Sequence, residues 1–177
     1  MKGGRPNETH HHLYGNCRDN PLNTCYPDKH IITSADELKA AACYDQVFAE
    51  YRNSHRAIDD FLNSNCLPFD CDNDHSEDSE EWVTPADVEK AFPGVPFYVI
   101  YSRHHMKQKN KYSPRPRFHV IFPIEPVTDS NAYRSLKDSV IAFFPYFDMN
   151  AKDSARFFFG VKSPVVEYHG GAKDESE

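Results

Sequence analysis

The segment from Cys66 to Asp74, CLPFDCDND, is a short apolar run that ends in carboxylates two residues apart. Its composition predicts a β-strand over 66–72. Because residues i and i+2 of an extended chain point to the same face, Asp70 and Asp72 would project side by side. Two adjacent carboxylates repel each other unless a positive charge lies between them, and a hard divalent cation commonly supplies it. An acidic turn that follows a strand is the alternative interpretation.

The rest of the chain alternates helical and extended patterns. Helical spacing predicts a region from Ser34 to Leu62 with a break near Asn53, and Ser34 with Glu37 forms a capping box at its start. Thr84, followed by proline, marks the start of a short helix. Further apolar runs predict a helix over 131–144 and strands over 96–101, 117–124 and 156–161. This order predicts an α+β fold, with helices packed on an antiparallel or mixed sheet.

The chain divides into three parts by composition. Residues 1–30 are rich in Gly, Pro, Asn and His and predict an irregular N-terminal arm, residues 31–168 predict one domain, and residues 169–177 predict a polar tail or linker. Such a tail suggests a domain of a longer protein. The arm contains six residues of types that bind zinc, which are His10, His11, His12, Cys17, Cys25 and His30. Because no two cysteines among them form a Cys-x2-Cys pair, structural zinc is not expected there.

Composition and charge indicate the cellular compartment and exclude some classes of partner. The five cysteines are odd in number and irregularly spaced, and the N-terminus carries no apolar signal segment, which together predict reduced thiols in a cytoplasmic protein. No apolar window is long enough to predict a transmembrane helix or a membrane partner. The net charge of −7 argues against a protein that coats nucleic acid non-specifically.

The charges are unevenly distributed along the chain. Nine acidic residues and no Lys or Arg lie between Asp70 and Glu89, whereas six Lys or Arg and no acid lie between Arg103 and Arg117. An acidic segment beside a basic one suits a metal-dependent enzyme that acts on phosphates. Two solvated loops of opposite charge are the simpler alternative.

A third acid could complete a cation site. Asp148 follows the apolar run 143–147, and Asp153 and Asp74 rank after it as candidates. Three carboxylates could hold two metal ions about 4 Å apart, an arrangement that clamps the attacking and leaving oxygens of a phosphoryl displacement.

Basic residues offer a complementary phosphate site. His119 lies in a predicted strand and could hold a phosphate oxygen, although a buried neutral histidine with a backbone partner is commoner. The acid-free segment before it supplies donors suited to a triphosphate. These donors are Arg103, His105, Lys107, Arg115 and Arg117.

Four segments, taken in order, resemble the archaeo-eukaryotic primase superfamily. They are LPFDCD (67–72), RFHVIFP (117–123), Phe147-Asp148 and ARFFFG (155–160). More narrowly, they are similar to the primase-polymerase domains of phages, plasmids and other mobile genetic elements of bacteria. The family's motifs are a strand that ends in Asp-x-Asp, a strand with a single histidine and a later hydrophobic-Asp pair. The resemblance covers roughly residues 45–165.

The resemblance implies an RRM-like sheet joined to an N-terminal α/β unit, with the active site in the cleft between them. The domain would be a DNA primase or polymerase that adds rNTPs or dNTPs to a 3′-hydroxyl on a single-stranded or primed DNA template. Asp70, Asp72 and Asp148 would be the catalytic residues and would bind two Mg²⁺ or Mn²⁺ ions. A helicase or further domains would be partners in the natural replication protein. The incoming nucleotide would contact His119, Arg103, His105, Lys107, Arg115, Arg117 and Arg156.

Two other functions remain open. A replication-initiation nicking endonuclease on a related sheet would use a catalytic tyrosine and a His-hydrophobic-His metal pair, whereas this chain has a single histidine in its best strand. A non-catalytic nucleotide- or nucleic-acid-binding module would use exposed aromatic residues of the sheet, for which Phe157 to Phe159 are candidates.

Overall fold

In the computed structural model, which describes residues 17–170 and the backbone of residues 10–14, strands and helices are interspersed. The strands are β1 (His10–Tyr14), β2 (Asp28–Ile32), β3 (Gln46–Val47), β4 (Glu50–Tyr51), β5 (Phe61–Cys71), β6 (Phe97–Tyr101), β7 (Phe118–Val127), β8 (Phe157–Phe158) and β9 (Val166–His169). The α-helices are α1 (Ala35–Ala41), α2 (Pro85–Ala91) and α3 (Ser130–Phe143). Short 3-10 turns cover Arg52–Ser54, Ile58–Asp60, Ser79–Glu81 and Met149–Lys152.

The described strands form two antiparallel sheets. The larger sheet has the order β4-β5-β7-β6-β9, and the smaller has the order β2-β1-β3-β8. The long central strands β5 and β7 pair along most of their length. Two antiparallel sheets with three helices in the described part of the chain confirm the predicted α+β class.

Side chains of the large sheet alternate between two apolar layers, as the pleat requires. The layer shared with α2 and α3 contains Leu67, Phe69, Val99, Phe118, Val120 and Phe122. The layer shared with α1 and the small sheet contains Cys66, Tyr98, Ile100 and Ile121. By the same alternation Asp70 and His119 belong to the second face, and the ring of His119 lies 4.7 Å from that of Phe158 in the small sheet. The alternation therefore directs both polar side chains into the space between the sheets.

A close backbone contact fixes β8 against the N-terminal part of the chain. The Gly160 N–H donates to Asp45 Oδ1 at 2.9 Å, and a Cβ at position 160 would lie 2.6 Å from the carbonyl oxygen of Cys43. Only glycine fits there without displacing backbone. Just before it, Phe158 of β8 pairs with Gln46 of β3.

The predicted helical region from Ser34 to Leu62 is wrong beyond α1. The helix start is correct, since the Ser34 hydroxyl accepts from the Glu37 N–H at 3.2 Å. After α1, residues 46–49 are buried in succession and lie in or beside short paired strands, so their apolar spacing reflects burial on both faces. Asn53 then takes a φ of 54°, which no helix accommodates.

Several other segments test the sequence predictions. The predicted strands β6 and β7 and the helices α2 and α3 are confirmed to within about three residues at their ends, and β5 is confirmed but begins at Phe61, five residues before the predicted start. The irregular arm is wrong for β1 and β2, which pair with each other. The strand predicted over 156–161 shrinks to the two residues of β8, and β9 was not predicted.

Some predictions stay untested. The domain limits at residues 31 and 168 remain predictions, and the side chains of His10 to His12 and the tail segment 171–177 lie outside the described residues. Among the described helices, none combines the length and apolar character needed to cross a bilayer.

One buried lysine is unusual in the helix-covered layer. Lys137 of α3 is fully buried, and its ammonium has no hydrogen-bond partner among the described residues. It lies 5.4 Å from the ring centroid of Phe69 and 5.6 Å from that of Tyr133, which gives only partial compensation by cation–π contact. Burial therefore lowers the pKa of Lys137 to about 8, with nearby Asp153 acting in the opposite direction.

We expect Lys137→Met to raise the free energy of unfolding at pH 7 by on the order of 1–3 kcal/mol, because methionine fills similar space without a desolvated charge. The folded-state pKa is below the unfolded value of about 10.4, so the penalty is complete below about pH 8 and disappears as the pH approaches the unfolded value. Urea denaturation at pH 7 and pH 10 measures this, with exposed Lys90→Met as the matched control. A destabilised Lys137→Met variant at pH 7 contradicts it.

Candidate active site

The centre of the site is a cross-strand pair. Asp70 near the end of β5 lies opposite His119 of β7, and Asp70 Oδ1 is 2.8 Å from His119 Nε2. The second oxygen, Asp70 Oδ2, accepts a hydrogen bond from Arg156 Nη2 at 2.9 Å. Burial alone would raise the pKa of Asp70, but His119 and Arg156 hold this pKa well below its ordinary value. Asp70 is therefore ionised across the physiological range.

Asp148 lies beside this pair. Its backbone N–H donates to the Asp70 carbonyl oxygen at 2.8 Å, which ties the segment after α3 to the end of β5. Its Oδ2 is 3.7 Å from the same Arg156 nitrogen that contacts Asp70. The carboxylates of Asp70 and Asp148 thus flank one guanidinium, although they are 78 positions apart in the chain.

Asp72 faces two other basic groups. Lys109 Nζ donates to Asp72 Oδ2 at 2.6 Å, and Arg117 Nη1 lies 3.3 Å from Oδ1. Arg117 is fully buried and also approaches Asp74, at 2.8 Å, but its nitrogens are not aligned for hydrogen bonds to either carboxylate. Its role here is to neutralise the two acids that follow β5.

A cavity of about 230 Å³ opens at this point between the sheets. Its lining combines the acids with basic and aromatic side chains. Those side chains belong to Asp70, Asp72, Ser102, Arg103, His104, Lys109, His119, Arg156 and Phe157 to Phe159. A separate depression of about 270 Å³ is lined on one side by Asp72 and Asp74 and on the other by Asp148. Asp72 borders both spaces.

The structure brings together only some of the sequence-predicted phosphate ligands. Arg103 lines the cavity, stacks 3.8 Å from the ring centroid of Phe159 and pairs with Asp19. His105 is directed elsewhere: its Nδ1 accepts from the Arg117 N–H at 3.2 Å, and burial lowers its pKa. Lys107 is exposed and lies outside the cavity lining.

Arg115 is a structural residue in this arrangement. It is fully buried, and all five of its N–H donors are used: two on the hydroxyl and carbonyl of Ser113, one each on the carbonyls of Asn73 and Ser76, and one on Glu77 Oε1 at 2.6 Å. No donor is left for a nucleotide. Arg115 instead fastens the acidic loop after β5 to the segment before β7.

Sequence reasoning missed Lys109 and the aromatic wall of Phe157 and Phe159. Lys109 was one of several lysines in a loop without periodicity, and its pairing with Asp72 depends on loop conformation. A positive φ at Asn110 and a bridge between Lys109 and Tyr112 set that conformation. The sequence offers Phe157 to Phe159 only as a possible binding surface of a sheet. Their place in the wall of the cavity depends on the pairing of β3 with β8, which no local signal indicates.

The chemistry of the donor set fits a hard divalent cation. Asp70, Asp72 and Asp148 offer carboxylate oxygens, and the Arg156 guanidinium stands as a cation between two of them. Within the described side chains, however, no three His, Cys, Asp or Glu groups already converge as a metal centre. Arg156 lies between Asp70 and Asp148, and Lys109 and Arg117 contact Asp72, so basic side chains stand where a cation would bind.

Comparison with known proteins adds one distant likeness. No protein-family model and no curated protein matches the chain. Among solved structures, the AEP domain of the primase-polymerase of cyanophage S-2L is similar, with 12% identity over 93% of this chain and 82% of that one and a TM-score of 0.47. At this distance the likeness does not bear on the site or on its chemistry.

We expect Arg115→Gln to lower the free energy of unfolding by about 3–5 kcal/mol, because it breaks a fully satisfied buried network. Arg115→Lys should recover little of this loss, since an ammonium cannot reproduce the planar set of five donors. Urea denaturation provides the measurement, and exposed Lys111→Gln, which should change stability by less than about 0.5 kcal/mol, is the control. A stable Arg115→Gln protein that no longer binds nucleotide would instead make Arg115 a ligand.

Proposed function

We propose that the chain is a nucleotidyltransferase of the primase-polymerase type, which adds nucleotides to a 3′-hydroxyl on a DNA template. The observation that carries the proposal is that Asp70 and Asp148 flank the Arg156 guanidinium beside His119, while Asp70 and Asp72 line a cavity with basic walls. The order of the motifs in the sequence, which resembles that superfamily, supports the same conclusion.

In this proposal, the three carboxylates would hold Mg²⁺ or Mn²⁺. The bound cations would lower the pKa of the attacking hydroxyl and neutralise charge on the phosphates. The revised phosphate-binding set consists of four of the five basic residues that line the cavity, His104 being left out. These residues are Arg103, Lys109, His119 and Arg156.

The chain's own residues have distinct tasks in this reaction. The 3′-hydroxyl oxygen bonds to the α-phosphorus, its proton passes to solvent water, and the bond from the α-phosphorus to the pyrophosphate oxygen breaks, which releases pyrophosphate. Arg103 and Lys109 are placed to stabilise negative charge that develops on the pyrophosphate. His119 lines the cavity and holds the Asp70 carboxylate through Nε2, so its ring fixes the position of Asp70 at the cavity wall.

The partners follow from the reaction. The substrates would be rNTPs or dNTPs, and the template would be single-stranded or primed DNA. Because the net charge is −7, template affinity should be weak and should fall with salt. A helicase or further domains in a longer replication protein would supply additional template binding.

We expect Mn²⁺-dependent incorporation of labelled nucleotide on a primed template, and we expect Asp70→Asn/Asp72→Asn to reduce it by about 100-fold or more. The matched control is Asp36→Asn/Asp59→Asn, which removes two exposed acids outside the cavity lining. Near-UV circular dichroism of each variant confirms that it is folded. Incorporation that survives in the Asp70→Asn/Asp72→Asn protein would exclude the proposed site.

A second candidate is a nucleotide-binding module without catalysis. The observation that favours it is that both oxygens of Asp70 and both oxygens of Asp72 already lie near basic groups of the protein. Such a module would bind a labelled, nonhydrolysable nucleoside triphosphate equally well with and without Mn²⁺ and would incorporate none. Metal-dependent affinity together with incorporation supports the enzyme.

A further inference from the structure

The acids of the site are already balanced by side chains of the chain itself. Arg156 Nη2 lies 2.9 Å from Asp70 and 3.7 Å from Asp148, and Lys109 Nζ lies 2.6 Å from Asp72. The other oxygen of Asp148 accepts two hydrogen bonds from Asn150, at 2.9 and 3.1 Å. A divalent cation that enters this site must therefore replace a contact that already exists.

The basic groups in contact with the acids are of two kinds. His119 and Arg117 are almost or fully buried, and they belong to β7 or directly precede it, so the sheet fixes their positions. Arg156 and Lys109 lie on loops, and each side chain is 32% exposed. The second pair can swing away from the acids without opening the core.

The two partly exposed groups, Arg156 and Lys109, also face a space other than the acids. Both line the 230 Å³ cavity. Arg156 has one further edge that is uncommitted, since its buried Nε has no hydrogen-bond partner in the described structure. A guanidinium and an ammonium that leave the carboxylates would meet phosphate oxygens within the same space.

We infer that Arg156 and Lys109 are exchangeable counter-ions, which hold the site acids in the absence of a divalent cation and pass to the triphosphate when cation and nucleotide bind. The inference rests on the proposed function. It makes metal binding and nucleotide binding cooperative, because the nucleotide accepts the positive charges that the metal displaces. By linkage, each ligand strengthens the binding of the other by the same factor.

The test uses Mn²⁺ alone and measures free Mn²⁺ by electron paramagnetic resonance during titration at fixed pH and ionic strength. Arg156→Gln and Lys109→Gln should each bind Mn²⁺ several-fold more tightly than the wild type, on the order of 3–10-fold, because a competing cation has been removed. The matched controls are Arg134→Gln and Lys90→Gln. Both are exposed, lie outside the cavity lining and change the net charge by the same amount.

The nucleotide affinity of the same variants should change in the opposite direction to their Mn²⁺ affinity. At a fixed free Mn²⁺ concentration, a fluorescently labelled, nonhydrolysable nucleoside triphosphate should bind Arg156→Gln and Lys109→Gln about 10-fold more weakly than the wild type. Fluorescence anisotropy measures this affinity. A substitution that merely disturbs the fold would weaken both ligands, so the opposed changes distinguish exchange from damage.

Each outcome has a definite meaning. Unchanged or weaker Mn²⁺ binding by both variants, in a wild type that incorporates nucleotide, overturns the exchange but leaves the proposed function intact. A wild type that neither binds Mn²⁺ nor incorporates nucleotide overturns both. If the Arg134→Gln and Lys90→Gln proteins gain as much Mn²⁺ affinity as the site variants, the effect is one of overall charge and the exchange is also overturned.

Discussion

The pairing register of β5 and β7 places Asp70 directly opposite His119, and the candidate site is built around this contact. A slip of either strand by one residue would turn that strand's member of the pair to the helix-covered face of the sheet, since side chains alternate with a period of two. The apolar alternation of the two strands prevents such a slip, because it would also move Phe69 of β5 or Val120 of β7 into the wrong layer. The core thus determines where the polar pair lies.

Electrostatic pairing then organises the loops around the sheet. The acidic segment after β5 and the basic segment before β7 are partly matched with each other: Arg115 holds Glu77, Arg117 faces Asp72 and Asp74, and Lys109 binds Asp72. The simpler alternative of two solvated loops does not describe these contacts. Part of the charge that suggested a phosphate site is used to hold the fold together, and a smaller group lines the cavity.

How much the sequence reveals depends on the range of the interactions. The central strands and the helices α2 and α3 could be predicted, because their periodicity and caps are local signals. The segment 46–51 could not, because its apolar spacing fits a helix as well as short strands buried on both faces. β8 and β9 are short edge strands whose existence depends on distant partners, Gln46 in one case and the β6 strand in the other.

The same distinction applies to the site. The acids and His119 stand in motifs that can be recognised locally. The division of the basic residues into structural and cavity-lining groups could not be predicted, because it depends on burial and on which distant carboxylate each residue meets, as Arg115 and Lys109 show.

The contact at Gly160 has a consequence for the evolution of the chain. Since β8 pairs with β3 and position 160 leaves no room for a side chain, the segment that carries Arg156 is shaped by residues 43–47 from the other end of the chain. An insertion in the turn before β3 would shift one wall of the cavity, and an insertion in the 103–109 segment would displace Arg103 and Lys109 from the opposite part of the lining. Variation in length should therefore be rare near residue 44 as well as in the 103–109 segment, although the two lie far apart in the chain.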